Sequence, residues 1–165
     1  MSPASTPSAA RWFGLAAAVV VADQLVKALV VARFAPGERL EIAGFLNLVL
    51  VFNKGAAFSF LAGADGWQTP LLAAFAVAAA LVLGFMIYRN PGKALMNAAL
   101  GLVLGGAVGN VIDRLRIGAV VDFVDFHAIG WHFPAFNVAD SAITVGAALL
   151  IYEGFVHDEK TGAAP

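Results

Sequence analysis

Cysteine is absent from the 165 residues, and charge is scarce, with Lys, Arg, Asp and Glu together making up 13% of the chain. Without a thiol there is no disulfide framework, no thiolate nucleophile, no sulfur for lipid attachment and no cysteine-based zinc site. Ten Lys plus Arg against eleven Asp plus Glu leave a formal net charge of -1, so the basic footprint of a nucleic-acid binder is missing as well. Soluble domains carry about 25% charged residues. A chain that is 61% hydrophobic, with a mean hydropathy of +0.84, has too little polar surface to cover a water-soluble globule. The composition is that of a membrane protein, and any chemistry must come from carboxylates, hydroxyls, amides or the three histidines.

A helix that crosses about 30 Å of hydrocarbon at about 1.5 Å per residue needs about 20 mostly apolar residues. Gly66 to Tyr88 carries no charge, and after the break Arg89-Asn90-Pro91-Gly92-Lys93 the run Ala94 to Ile112 is free of charge again. Two spans are expected there, 68–88 and 94–113, joined by a short hairpin. Two others, 12–33 and 137–155, are less clean: Asp23 and Lys27 fall inside the first, and Asp140 lies near the start of the second. Charges inside spans cost roughly 2.5 to 3.5 kcal/mol each on insertion scales and normally face a partner or a wet cavity. The first span continues past Asp23, too far for the apolar core of a cleaved signal peptide, and is read as an uncleaved anchor. Residues 1–10 and the polar tail after Glu153, ending in 157–165, are expected to be disordered.

With both termini inside, the inner side holds Arg11, Arg89, Lys93 and Lys160, and the outer side Arg33, Arg39, Lys54, Arg114 and Arg116. The positive-inside rule weighs short loops most, so the five-residue hairpin with Arg89 and Lys93 favours this orientation. The two remaining segments then share the outer side. Segment 36–64 is rich in Val, Leu and Phe and interrupted by Gly44 and Asn53-Lys54-Gly55, a pattern of strands and a turn. Segment 114–136 contains the strand-like Val120 to Phe126 and then Trp131, His132 and Phe133, aromatics suited to the water–lipid boundary. The expected fold is a single integral membrane domain, mainly α, of four transmembrane helices with a small β-sheet resting on the membrane surface.

Asn110, Asp113 and Arg114 share one face at the outer end of the third helix. Taken alone, Arg114 reads as a snorkelling anchor with Asp113 balancing its charge. Gly101, Gly105, Gly106 and Gly109 precede them and read as sites of close helix packing. Asp122 and Asp125 lie on opposite faces of one strand, so at most one of them faces a site. Asn137 and Asp140 read as a helix N-cap and a first-turn acid. Considered together, Asp122 and Asp140 lie in one loop that leaves and re-enters the same membrane face, and both can reach one point at the boundary. Two carboxylates in close approach share a proton, so one can activate water while the other protonates or polarises a carbonyl. That is the chemistry of peptide hydrolysis without a covalent intermediate. No zinc helix, nucleophile elbow, Walker loop or dinucleotide fingerprint is present. His127, His132 and His157 lack ligand-like spacing and read as boundary or solvent residues. No metal or cofactor is expected.

The runs Asp23-Gln24-Leu25-Val26-Lys27, Asn53-Lys54-Gly55-Ala56-Ala57-Phe58-Ser59, Gly105-Gly106 through Gly109-Asn110-Val111-Ile112-Asp113-Arg114, Val120-Val121-Asp122-Phe123 and Phe136-Asn137-Val138-Ala139-Asp140-Ser141 resemble bacterial lipoprotein signal peptidase (signal peptidase II). The resemblance covers nearly everything outside the two tails. It implies an aspartic endopeptidase of the bacterial inner membrane that cuts diacylglyceryl-modified prolipoproteins just before the lipidated Cys. By position, it implies that Asp122 and Asp140 are the catalytic dyad. Asn53, Asn110, Arg114 and Asn137 would contact substrate backbone or support the dyad, as for the cyclic peptide inhibitor globomycin. Asp23, Lys27 and Asp113 match family positions with a structural role, and Lys54 is assigned none. The resemblance further implies cytoplasmic termini, a site near the periplasmic face, a periplasmic β cradle over 36–64 and a gating loop within 114–136. A monomer suffices, since every motif lies on one chain. The competing readings are a small carrier or proton pathway built on Asp23, Lys27 and Asp140, and a non-catalytic scaffold in which the acids are caps and packing pairs.

Overall fold

The computed structural model describes residues 8–55 and 67–161, with the backbone alone described over 157–161. Four long helices, α1 (Ala10–Arg33), α2 (Gln68–Arg89), α3 (Ala94–Ile117) and α4 (Val138–Thr161), are joined by four strands, β1 (Arg39–Ala43), β2 (Leu46–Asn53), β3 (Val120–Ala128) and β4 (Trp131–His132). Each helix contains a stretch long and apolar enough to cross a membrane; in α4 it is Val138–Val156. The chain passes up, down, up and down through the bundle. The end of α1, the start of α2, the end of α3 and the start of α4 therefore meet the sheet at one pole.

Local sequence sets the helix ends. Pro36-Gly37 stops α1, with Gly37 at φ 82, and Pro91-Gly92 separates α2 from α3. Gly118 at φ 74 closes α3 in the left-handed conformation, its N–H donating to the Arg114 carbonyl. The strands form one antiparallel order β1-β2-β3-β4. β2 pairs with β3 through Asn47↔Asp125 and Val51↔Asp122, with an irregularity between Leu48 and Val51. Val121 and Phe123 of β3 join Val30 of α1 and Leu50 of β2 in a buried cluster, which seats the sheet on the bundle. A second cluster, Ala16, Ile87, Leu100 and Leu104, ties α1, α2 and α3 together nearer the opposite pole.

α3 is the most buried helix and packs against the other three. Its glycines explain how. A Cβ on Gly106 would collide with the Ala139 carbonyl oxygen of α4 and lie 2.7 Å from Ile143 Cγ1, and one on Gly105 would lie 2.6 Å from the Ala16 carbonyl of α1. The close packing expected of these residues is what the structure contains. Gly106→Ala is accordingly expected to lower the thermal unfolding midpoint in detergent, by an overpacking cost of about 1–3 kcal/mol. Gly14→Ala in α1, where a Cβ meets nothing within 4 Å, should be neutral or stabilising. Equal midpoints for the two variants would contradict this packing.

Three expected boundaries shift. α3 runs to Ile117 instead of stopping at 113, so Arg114 belongs to its last turn and not to the loop 114–136, because the left-handed glycine comes only at 118. α4 continues beyond 155 to Thr161, into the tail expected to be disordered over 157–165, where no proline interrupts Glu153 to Lys160. α1 begins at Ala10, inside the expected disordered segment 1–10 and ahead of residue 12, with the Ala10 N–H donating to Ser8 Oγ at 3.1 Å. Residues 1–7 and 162–165 lie outside the described residues. So do 56–64 of the expected cradle, including Ala56-Ala57-Phe58-Ser59.

Candidate active site

Asn137 immediately precedes α4 and does two things with one amide. Its Oδ1 accepts the Asp140 N–H at 2.9 Å, the N-cap bond expected of it. Because the oxygen is thereby occupied on the helix side, Nδ2 faces the sheet and donates to Asp122 Oδ1 at 2.7 Å. The other Asp122 oxygen accepts from Asn53 Nδ2, at the end of β2, at 3.1 Å. Asn53 is held in turn by its own turn, where its Oδ1 accepts the Gly55 N–H at 2.9 Å.

Asn110 of α3 forms the second half. Its Oδ1 accepts from Lys27 Nζ at 3.1 Å and from Asn137 Nδ2 at 3.3 Å, which leaves Nδ2 to donate to Asp140 Oδ1 at 2.8 Å. Asp122 and Asp140 are thus bridged through the amides of Asn137 and Asn110. Both carboxylates line a cavity of about 600 Å³. A smaller adjoining cavity, about 180 Å³, shares Asn53, Asp122, Pro134 and Ala135 with the first. The main cavity is polar at the two acids and apolar along Phe133, Phe136, Ile143 and Val145.

Beneath this site lies a buried ionic hub. Lys27 Nζ sits 2.7 Å from Asp23 and 2.8 Å from Asp113, and with Asn110 these partners use all three ammonium protons. Asp23 also accepts the Ala139 N–H of α4 at 2.9 Å. Asp113 accepts the Val121 N–H of β3 at 3.1 Å and an N–H of Gln24 at 3.0 Å. The hub therefore ties α1, α3, α4 and β3 together directly under the two acids. Gln24 and the Gly55 carbonyl, which accepts from Arg114 at 3.0 Å, were not among the expected site residues. Gln24 sits beside Asp23 in the first of the five motifs and Gly55 two residues after Asn53 in the second, and those adjacencies are the signal the sequence holds for them.

Arg114 lines the cavity with Asn110, while Asp113 turns away to the hub. The expected charge pairing of Asp113 with Arg114 is therefore replaced by Asp113 with Lys27. Asp125 sits apart from the two acids. Its carboxylate accepts from Asn47 Nδ2 at 2.9 Å and from His132 Nδ1 at 2.9 and 3.0 Å. His132, read as a boundary residue, is the partner of a buried acid. Asp122 and Asp125 do face different surroundings, as strand alternation requires.

The electrostatics of the two β3 acids diverge. Burial, reinforced by the negative charge of Asp140, pushes Asp122 up to about 7 against the opposing hydrogen bonds of Asn53 and Asn137. Burial also acts on Asp125, but hydrogen bonds from Asn47 and His132 and the nearby positive charge outweigh it and hold its pKa below the ordinary carboxylate value. At neutral pH, Asp122 can hold or release a proton while Asp125 stays ionised.

Four helices able to cross a membrane bring two amide-bridged carboxylates to one cavity at the bundle's pole, and the class this defines is that of an integral membrane protein with a paired-acid cavity. The family described as Signal peptidase (SPase) II matches residues 15–156. A lipoprotein signal peptidase of Burkholderia multivorans is 50% identical over 153 residues, covering 93% of this chain and 92% of that one. Another, of Paraburkholderia phytofirmans, is 53% identical over 150 residues, covering 91% and 87%. A solved bacterial membrane enzyme superposes with a TM-score of 0.81 at 30% identity, over 94% of this chain and 93% of its own. A second gives 0.77 at 31%, over 87% and 92%. The chain belongs to the signal peptidase II family, and it is an aspartic peptidase of a bacterial membrane.

Proposed function

We propose that this protein removes signal peptides from diacylglyceryl-modified prolipoproteins by cutting before the lipidated Cys, with Asp122 and Asp140 as the catalytic dyad. The observation that carries the reading is the amide bridge, in which Asn137 and Asn110 each commit their oxygen elsewhere and turn an N–H to one of the two acids. One dyad carboxylate takes a proton from water as the hydroxyl adds to the scissile carbonyl carbon, and the other, protonated, gives its proton to the carbonyl oxygen. Collapse of the tetrahedral intermediate breaks the C–N bond, and the amine of the lipidated Cys leaves with a proton. Arg114, Asn53 and Asn110 line the cavity and hold the substrate backbone; Asn137 acts through the dyad.

The apolar wall of the cavity admits the lipid-flanked end of the substrate from the bilayer, while the polar floor meets water. Both termini are cytoplasmic and the site is near the periplasmic face of the inner membrane, which agrees with the basic hairpin Arg89 to Lys93. The protein acts as a monomer, and globomycin competes for the same cavity. Of the intramembrane charges that suggested an ion route, Asp23, Lys27 and Asp140, Lys27 is paired with both Asp23 and Asp113, and Asp140 accepts from Asn110 at the cavity.

The test is cleavage by the purified protein in detergent of a diacylglyceryl-modified lipobox peptide, measured across pH 5–9. Cleavage immediately before the lipidated Cys is expected, and kcat/KM should fall as pH rises through about 7, because the reaction needs the shared proton and the pair loses it there. The sign for stability is the same. Asp122 is raised from 3.8 to about 7, so the folded state holds a proton that the unfolded chain releases, and its contribution declines as pH climbs through that interval. A rate that keeps rising above pH 8 would contradict the shared proton, and an uncut lipopeptide would contradict the function.

A further inference from the structure

Asp125 is a buried carboxylate that the proposed reaction does not use, and its partners come from every other strand. Asn47 on β2 donates to it at 2.9 Å, His132 on β4 at 2.9 Å, and Arg39 on β1 approaches to 3.7 Å. A carboxylate has only acceptor oxygens to offer here, so the His132 proton resides on Nδ1. β4 is only two residues long and pairs with β3 through His127↔His132 and Ala128↔Trp131 alone. So short a ladder holds its position poorly without side-chain support.

The four residues that follow β4 are the wall of the site. Phe133, Pro134, Ala135 and Phe136 all line the main cavity opposite Asp122 and Asp140, and Pro134 and Ala135 also line the smaller one. This strap is pinned at both ends. At its far end the Phe136 N–H and carbonyl pair with Val124 at 3.0 and 2.9 Å, directly before Asn137. At its near end the Phe133 N–H donates to the Phe126 carbonyl at 2.7 Å, and beside it stands the His132 to Asp125 bond. The far end is all backbone. At the near end the His132 to Asp125 pair is the side-chain hydrogen bond, beside ring contacts of His132 with His127 and of Phe133 with Trp131 and Phe136.

We infer that Asp125 and His132 are positioning residues for substrate binding, a clasp that fixes the strap Phe133–Phe136 at the width the substrate chain requires. The inference rests on the peptidase reading for its substrate and on the sheet geometry for its residues. The strap runs into Asn137, whose bonds to Asp122 and to the Asp140 N–H involve no residue of β4. Loosening the clasp should therefore weaken binding and leave the bond-breaking step alone.

The experiment compares wild type, His132→Leu and His132→Asn on the diacylglyceryl-modified lipobox peptide, alongside amide hydrogen exchange of segment 126–136 in detergent. Leu fills space without a donor, whereas the Asn Nδ2 falls near the place of the His Nδ1 and restores the N–H. His132→Leu is expected to raise KM by roughly tenfold with kcat within about twofold, the scale of one charge-assisted hydrogen bond, and to speed exchange at Phe133. His132→Asn should return both to near wild-type values. A fall in kcat at constant KM, or equal behaviour of Leu and Asn, would overturn the clasp. If wild type itself leaves the lipopeptide intact, the peptidase reading fails, and the exchange comparison decides the clasp on its own.

Discussion

Asp140→Asn and Asp122→Asn are each expected to lower kcat on a diacylglyceryl-modified lipobox peptide by about a thousandfold or more. Each change removes a carboxylate that must hold or take a proton and leaves a side chain of the same shape. The folds should survive to different degrees. Among the described residues Asp140 accepts one side-chain bond, from Asn110, which an amide oxygen can accept as well. Asp122 accepts from Asn137 on one oxygen and Asn53 on the other; an amide offers one oxygen, so one donor then faces an NH₂ group. Asp122→Asn should thus unfold at a somewhat lower temperature than Asp140→Asn. The double variant should be no slower than either single one, since groups that act as a unit do not add. Full activity in either folded single variant would remove that carboxylate from the reaction.

Lys27→Met is expected to act on stability before activity. Lys27 is 3% exposed and is the only cation bonded to the buried Asp23 and Asp113 among the described residues. Taking one partner from a buried ion cluster costs about 3–5 kcal/mol because the remaining charges are stranded. Yield and thermal midpoint in detergent should fall sharply, while the folded fraction keeps most of its specific activity, since Asn137 still bonds the Asn110 oxygen and keeps its amide turned to Asp140. Adding Asp113→Asn to Lys27→Met should recover part of the stability by removing a stranded charge. A Lys27→Met protein as stable as wild type would sink this account, and one that folds normally with no turnover would move Lys27 into the reaction.

The four spans were legible because hydrocarbon tolerates so little charge that Gly66–Tyr88 and Ala94–Ile112 stand out by inspection. The glycines of α3 and the N-cap at Asn137 were legible for the same local reason, since each obeys a rule that needs only its neighbours in sequence. Pairings across the fold were harder. Asp113 balancing Arg114, its neighbour in sequence, and Asp113 reaching Lys27 on another helix are both open to a reading of the sequence, and the structure chooses the second. Asp125 and His132 are seven residues apart around a hairpin whose tip, Ile129 at φ 51 and Gly130 at φ 78, lacks the Asn-Gly signal that would have announced it. Without that turn, His132 had no visible partner. The convergence of Asp122 and Asp140 was inferable from their shared loop, but the two asparagines that orient them became visible as a bridge only in three dimensions.

Asn137 and Asp140 lie at the beginning of α4, the last of the described helices in chain order, and the Ala139 N–H there is accepted by Asp23 of α1. Half of the proposed dyad and the amide that steers the other half therefore sit at the described element farthest in sequence from α1, yet that element is bonded directly to it. On the proposed function, a chain cut before Asn137 carries one aspartate of the dyad without its partner, and it is expected to leave the lipopeptide uncut.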